Sequence, residues 1–135
     1  IGVPLTHRGL ATGVRYVTGH CRADADLDLD WAGLADANTT LVVYMGFAQI
    51  GTIACNLIAA GMPASTPAAA IANGTLPTQR HVVGTIATIA DLARDFAGSG
   101  PVLFIIGQVV TLAAILGGTR DATTGSVTML QAHHA

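Results

Sequence analysis

The sequence is poor in charge and has very few aromatic residues. It has 135 residues, of which 10% are charged and 4% are aromatic, and it contains neither lysine nor glutamate. Disordered chains combine high charge with low hydrophobicity. The 51% hydrophobic content therefore excludes an intrinsically disordered chain. A net charge of −2 also argues against a nucleic-acid-binding domain, because such a domain presents a basic face.

Cysteine is scarce as well, and no secretory leader is visible. Cys21 and Cys55 are too few for a disulfide scaffold, so they indicate a reducing compartment. The opening IGVPLTHRG has no charged segment followed by an apolar run, which a secretory leader would show. We therefore expect a cytoplasmic protein, long enough for one domain with its own core.

Two long stretches without charge raise the question of a membrane protein. They lie between Asp36 and Arg80 and between Asp95 and Arg120. A spanning helix needs about 20 consecutive apolar residues, whereas glycine and proline divide both stretches into shorter pieces. Buried strands that are covered on both faces also form unbroken apolar runs. The pattern therefore favours an α/β domain and predicts no membrane partner.

Short apolar runs predict the strands of this domain. The segments 40–45, 67–72 and 102–106 are β-branched or rich in small residues and are bounded by turn residues, which is typical of buried strands. Segment 12–20 alternates as an exposed edge strand does. Segment 79–86 fits either a strand or the approach to a helix.

Helical spacing predicts two main helices, at 47–61 and 87–97. In the first, Cys55 lies among apolar residues and is expected to be a small core residue. In the second, Ile89, Leu92 and Phe96 are expected to face inward. A short helix is predicted near Trp31, and the order of elements indicates a sheet with helices on its faces.

Two clusters of polar residues suggest chemistry but do not define it. Alternating aspartates at 24–30 resemble a calcium loop, but the positions that need glycine and glutamate hold Leu29 and Ala35, so no metal site is predicted. Five positive or titratable groups lie near the start of the chain. They either bind a carboxylate-rich ligand or balance the aspartates: His7, Arg8, Arg15, His20 and Arg22.

Glycine turns follow two of the predicted strands, at 44–46 and 72–74. Ligands of open α/β sheets bind beyond the carboxyl ends of strands, and glycine allows a ligand to approach the backbone closely. These turns are therefore candidate binding corners, although simple turn formation explains the same pattern.

Specific motifs then carry a family resemblance over about residues 2–117. In this order and spacing the chain is similar to the uroporphyrinogen-III C-methyltransferases, which are tetrapyrrole methylases. The motifs are VPLTHRG (3–9), VRYVTGH (14–20), LDW (29–31), TLVVYMG (40–46), GMP (61–63), NGTLPTQR (73–80), GTIATIADLA (84–93) and PVLFIIGQVV (101–110).

The resemblance implies an α/β fold and a position within a longer enzyme. It implies that residues 1–117 form the C-terminal domain of the tetrapyrrole methylase fold, a single three-layer-like domain with a mixed, largely parallel sheet flanked by helices. Residues 118–135 would be a poorly structured tail or would pack on a partner. The family's glycine-rich loop and Gly-Gly-Asp segment are not in this sequence. No catalytic residue is therefore expected here, and an N-terminal domain is an expected partner.

The resemblance also implies an activity. Members transfer methyl groups from S-adenosylmethionine to C2 and C7 of uroporphyrinogen III, giving precorrin-2 and S-adenosylhomocysteine on the route to sirohaem and cobalamin. They are usually cytoplasmic homodimers, and this chain alone is expected to be inactive. Two alternatives remain open, namely a methylase acting on another corrin precursor and a non-catalytic dimerisation module.

The carry-over of site residues follows the matching motifs. Four residues at the glycine turns would bind the cofactor: Tyr44, Met45, Ala72 and Gly74. Three residues near the start of the chain would bind the substrate's carboxylates: Thr6, His7 and Arg8.

Overall fold

The computed structural model describes residues 1–21 and 25–117, so the predicted tail at 118–135 lies outside the described residues. These residues contain five strands and four α-helices, and helices separate successive strands except between β3 and β4. The strands are β1 (Gly13–Thr18), β2 (Thr39–Tyr44), β3 (Pro67–Ala72), β4 (Arg80–Thr85) and β5 (Val102–Ile106). The α-helices are α1 (Trp31–Leu34), α2 (Ile50–Ala59), α3 (Ile89–Leu92) and α4 (Ala113–Leu116). Single 3-10 turns precede α2 at Phe47–Gln49, follow α3 at Ala93–Phe96 and precede α4 at Gln108–Leu112.

The five strands form one mixed sheet in the order β1-β2-β5-β3-β4. Strands β1 and β2 pair in parallel, whereas β5 pairs antiparallel with both β2 and β3, and β4 pairs antiparallel with β3. The predicted α/β fold with a mixed sheet and flanking helices is confirmed. The prediction of a largely parallel sheet is wrong, because the last strand inserts between β2 and β3 in the opposite direction.

The first three helices cover one face of the sheet. Alternate strand residues such as Val43, Ala70 and Phe104 point to this face and are fully buried. They pack against Ile53 and Leu57 of α2 and the neighbouring helical residues. Burying side chains of this size stabilises the fold by about 1.5–3 kcal/mol each. The three consecutive alanines of β3 are completely buried and let the layers approach closely.

The other face is covered by irregular chain. Val109 and Val110 of the last 3-10 helix pack on Ile71 and Ile105, together with partly buried residues of the first ten positions. Part of this face stays open near β1 and β2, where Tyr16 is 59% exposed. The domain is therefore three layers deep, with α1 to α3 on one side of the sheet and the last 3-10 helix with the first ten residues on the other.

Two sequence predictions about helix faces are wrong. Cys55 is exposed, because α2 buries the stripe formed by Ile53, Ala54 and Leu57. Leu92 is also exposed, because the chain tightens from α-helix to 3-10 geometry at Ala93 and buries that alanine instead. Segment 79–86, which the sequence left undecided, is a strand. Among the described helices, none combines the length and apolarity needed to cross a bilayer.

The strand directions give the sheet two different ends, which we call the carboxyl edge and the amino edge after the ends of β1, β2 and β3 that lie there. The carboxyl edge contains the corners that follow β1, β2 and β3, together with the start of β4 and β5. The amino edge contains the starts of β1, β2 and β3 and the end of β5. Six residues of strand separate the two edges, which corresponds to about 20 Å.

Candidate functional site

The corners after β2 and β3 lie at the same height on the carboxyl edge. Val43 pairs with Phe104, and continuing that antiparallel register by two residues places Met45 beside Val102. On the other side, Ala72 pairs directly with Val102. Two strand spacings therefore separate the two corners, about 10 Å. This width suits a flat ligand of the size of a nucleoside.

Unusual backbone conformations concentrate at these two corners. Among the described non-glycine residues, positive φ angles occur at Met45 (51°), Asn73 (52°) and Thr75 (70°). Such residues are uncommon, and this conformation carries a conformational cost that the surrounding structure must offset. Strain of this kind often occurs at binding sites. The sequence identified both corners from their glycines, whereas the structure shows that the residues before the glycines are the strained ones.

A third corner, after β1, packs directly against the corner after β2. The Gly19 N–H donates to the Tyr44 carbonyl at 2.7 Å. A Cβ atom at Gly19 would overlap the Cα atom of Gly46, and one at Gly46 would come within 2.6 Å of a Val43 methyl group. Glycine at position 19 therefore lets the two backbones touch, and glycine at position 46 avoids a clash with the Val43 side chain.

Exposed side chains surround these corners. Tyr44 is 49% and Met45 is 64% exposed, and the Tyr44 ring lies 6.3 Å from that of Tyr16. Gly74 is exposed, and a Cβ atom there would make only an ordinary contact, 3.5 Å from Ile71 Cγ2. No described side chain fills the space above these two corners at Gly74 or Met45, so this surface is open to a ligand.

Ala72 differs from the other three predicted cofactor residues, because it has no exposed surface. Its side chain belongs to the core under the helices. It could influence a bound ligand only by setting the path of the backbone into Asn73 and Gly74.

Arg80 is a candidate binding residue that the sequence argument did not single out. It pairs in register with Ala72 at the start of β4. Its guanidinium carbon lies 4.9 Å from the centre of the Phe96 ring, an arrangement in which the ring face attracts the cation. Arg80 is exposed, so its N–H groups are accessible to a carboxylate. The sequence signal for Arg80 is its position in QR (79–80), at the start of the strand that follows the Asn73-Gly74 corner.

The predicted substrate residues lie at the opposite edge. Thr6, His7 and Arg8 are exposed and enter a tight turn, in which the His7 and Ala11 backbones bond to each other at 3.0 Å. The next residue, Thr12, donates its N–H to the Asn38 carbonyl at the start of β2. The structure therefore does not bring these three residues together with Met45 and Gly74.

The amino edge is held by local hydrogen bonds. The Asp36 carboxylate accepts a bond from the Thr39 hydroxyl at 2.7 Å and one from the Asn38 N–H at 2.9 Å. These two bonds lower the pKa of Asp36 below its usual 3.8. A small cavity of about 40 Å³ lies beside them, lined partly by Met62, Thr66 and Gln108. It has room for a water molecule rather than for a cofactor.

The positive groups near the start of the chain do not form one cluster. His7 and Arg8 lie at the amino edge, whereas His20 follows β1 at the carboxyl edge. Arg15 donates to the Gly33 carbonyl at 2.5 Å and so ties β1 to α1. Arg22 lies outside the described residues. Within the described parts of the chain, no group of three or more metal-ligating side chains comes together.

Comparison with known proteins identifies the family to which the chain is similar. Residues 1–90 match the family model described as tetrapyrrole (corrin/porphyrin) methylases. The chain is 50% identical over 110 residues to a uroporphyrinogen-III C-methyltransferase of Paracoccus denitrificans, which covers 82% of this chain and 38% of that protein. It is 45% identical over 109 residues to a sirohaem synthase of Gluconobacter oxydans, covering 81% of this chain and 23% of that protein.

Solved structures show the same similarity in three dimensions. The chain superimposes with a TM-score of 0.69 and 32% identity on a Thermus thermophilus uroporphyrin-III C-methyltransferase in complex with S-adenosylhomocysteine. This match covers 82% of this chain and 48% of that one. A cobalt precorrin-4 methyltransferase also superimposes with a TM-score of 0.69, over 80% of this chain and 45% of that one. At 18% identity it shows only that the fold is shared. The chain thus spans less than half the length of each of these relatives.

Proposed function

The chain belongs to the tetrapyrrole methylase family, and we propose that it forms part of an S-adenosylmethionine-dependent uroporphyrinogen-III C-methyltransferase. The observation that carries this proposal is the pair of open, strained corners at Met45 and Asn73-Gly74, about 10 Å apart at one edge of the sheet. It is supported by the relative of known structure that holds S-adenosylhomocysteine.

The residues at these corners fit the cofactor that we propose. An adenosyl group is flat and needs close approach to backbone N–H and C=O groups, which glycine permits. Gly74 leaves such space, and the Met45 side chain is exposed beside it. The described corners form one wall of a slot. We propose that a preceding domain, present in the longer relatives, supplies the other wall.

The proposed reaction is displacement at a sulfonium methyl group. A ring carbon of uroporphyrinogen III attacks the methyl carbon, the carbon–sulfur bond breaks, and sulfur keeps the electron pair as S-adenosylhomocysteine is formed. The ring system then loses a proton. Repetition at the second position would give precorrin-2, methylated at C2 and C7, for sirohaem or cobalamin synthesis. The role of this chain is alignment, since correct placement of reacting atoms lowers the barrier substantially. We assign none of its residues to proton transfer.

The substrate's carboxylates need cationic or hydrogen-bond-donating partners. We propose Thr6, His7 and Arg8 for this role from the family motif, although they lie about 20 Å from the cofactor corners. A macrocycle would reach them only if the preceding domain and this sheet enclose a trough that runs along the length of the strands. We further propose that the protein acts in the cytoplasm as a homodimer.

Calorimetric titration with S-adenosylhomocysteine tests the cofactor site. The native polypeptide that contains this chain should bind the ligand. The Gly74→Leu variant should lose at least about tenfold in affinity, equivalent to 1.4 kcal/mol, because the new side chain occupies the slot. Gly74 has no positive φ, so the variant should fold normally. Gln108→Leu, at the amino edge, is the matched control and should bind as the native protein does.

Normal binding by Gly74→Leu would show that the slot is placed wrongly.

Product mass after incubation with uroporphyrinogen III tests the substrate. Addition of two methyl groups supports the proposal. An unreacted macrocycle, with normal cofactor binding, would indicate a methylase of another corrin precursor. A protein that binds no cofactor at all and only dimerises would indicate a non-catalytic module.

A further inference from the structure

Asn73 takes part in three hydrogen bonds at the β3 corner. Its side-chain Nδ2 donates to the Ser99 carbonyl at 2.6 Å. Its backbone N–H donates to the Pro101 carbonyl at 3.0 Å, and its carbonyl accepts the Leu76 N–H at 3.0 Å. One residue therefore joins the end of β3, the loop that precedes β5 and the turn that leads to β4.

The conformation of Asn73 explains why this residue type is suitable. Its φ of 52° lies in the left-handed region, which asparagine enters more readily than most residues because its short side chain bonds locally. The loop opposite has a matching requirement. Gly100 has a φ of 108°, and a Cβ atom there would overlap the Asn73 side-chain oxygen. The asparagine and the glycine thus fit together closely.

The fit between Asn73 and Gly100 also affects the backbone orientation of Gly74. Gly74 follows Asn73 directly and is exposed, and a Cβ atom built there would meet only Ile71 Cγ2, at 3.5 Å. Because the two residues are joined directly, the torsion angles of Asn73 set the direction in which the Gly74 backbone leaves β3. The Ser99 and Pro101 carbonyls hold those angles from the neighbouring loop.

We infer that Asn73 is a positioning residue, which locks the β3 corner to the loop at 97–101 and so fixes the cofactor-facing backbone of Gly74. This inference rests on the proposed function. Asn73 touches no reacting atom in this view. It acts by keeping the corner in its binding conformation before the ligand arrives, which spares the ligand the cost of ordering it.

The test uses three variants of Asn73 in the native polypeptide that contains this chain. Asn73→Ala loses the bond to Ser99 and disfavours positive φ, so its Kd for S-adenosylhomocysteine should rise about tenfold. Asn73→Asp keeps the local tolerance of positive φ but replaces the donor with a carboxylate oxygen that faces the Ser99 carbonyl, so its Kd should rise at least as much as that of Asn73→Ala. Asn73→Gly loses only the side-chain bond and permits the angle, so it should recover part of the affinity lost in Asn73→Ala.

The kinetic readout separates positioning from simple destabilisation. All assays are run well below the melting temperature of each variant, where every protein is folded. KM for S-adenosylmethionine should rise in the order of the Kd values, while kcat at saturating cofactor should stay within about twofold. Amide NMR shifts of Gly100 and Val102 should move in Asn73→Ala. Asn38→Ala, an exposed asparagine at the amino edge, is the control and should change none of these quantities.

The outcomes distinguish this inference from the proposed function. If the native protein binds S-adenosylhomocysteine and Asn73→Ala binds equally well, the inference is wrong and the proposed function stands. If kcat falls while KM is unchanged, Asn73 is not a positioning residue for the cofactor. If the native protein does not bind the ligand, the proposed function fails and the inference fails with it.

Discussion

The two edges of the sheet are built from the same five strands but differ in how their corners are held. At the carboxyl edge the backbone is strained at Met45 and Asn73, and the corners contact each other through glycines. At the amino edge the corners are closed by ordinary local bonds, such as those that Asp36 accepts. Strain persists only where the surroundings enforce it. The difference therefore supports our proposal that the carboxyl edge is the end at which the cofactor binds.

The largest expected effect comes from removing the support that both edges share. Phe104 lies at the centre of β5, is completely buried, and pairs with both Val43 and Ala70. Phe104→Ala should lower the free energy of unfolding by about 3–5 kcal/mol, through lost burial and the cavity left behind. Urea denaturation measures this loss.

The control for this prediction is Leu76→Ala. Leu76 is half exposed in the turn before β4, and its truncation should change stability by no more than about 0.5 kcal/mol. If Phe104→Ala were as mild as this control, β5 would not be the common support of the two edges.

An intermediate effect should separate the two edges on a single strand. Gly19 directly follows β1 and packs against Gly46, so an added methyl group cannot be accommodated. Gly13 starts the same strand, and a Cβ atom there would meet only Thr39 Oγ1, at 3.9 Å. Gly19→Ala should therefore cost about 1–3 kcal/mol, whereas Gly13→Ala should be close to neutral. Thermal melting of the two variants measures the difference, and equal melting temperatures would contradict the comparison.

The smallest expected effect is a difference in acid sensitivity. Burial lowers the pKa of His81, which lies in β4 near the carboxyl edge, below its usual 6.5. The unfolded chain then binds the proton more readily than the folded one, so the stabilisation is fully present above pH 6.5 and is lost as pH falls through the lower, folded value. Asp36, at the amino edge, should lower the stability of the fold only when the pH falls below 3.8.

Stability against pH for two variants tests this order. His81→Gln should reduce the loss of stability that begins below pH 6.5 and leave the loss below pH 3.8 unchanged. Asp36→Asn should have the opposite effect. A first loss that persists in His81→Gln would assign it to another group.

Several features of the site could be read from the sequence. The corners at 44–46 and 72–74 were predicted because turn residues after a buried apolar strand are a local signal, and the structure has strands ending at Tyr44 and Ala72. The alternation that predicts an exposed edge strand at 12–20 is also a local signal, and β1 is indeed an outer strand of the sheet.

Other features were not visible in the sequence because they depend on distant parts of the chain. Asn73 contacts a carbonyl 26 residues away, and Arg80 lies over the ring of Phe96. His7 and His20 are near each other in the sequence but lie at opposite edges, because β1 runs between them. Which helix face is buried also depended on the sheet, as the exposed Cys55 shows.

The amino-acid sequence by itself determined where four of the five described strands lie, which corners contain glycine, and the motifs by which the family is known. These are properties of short segments, set by side-chain size and backbone freedom. Only the tertiary structure decided that β5 inserts antiparallel between β2 and β3. That insertion places the two corners about 10 Å apart, because strand order is set by how all the layers pack at once and not by any single segment.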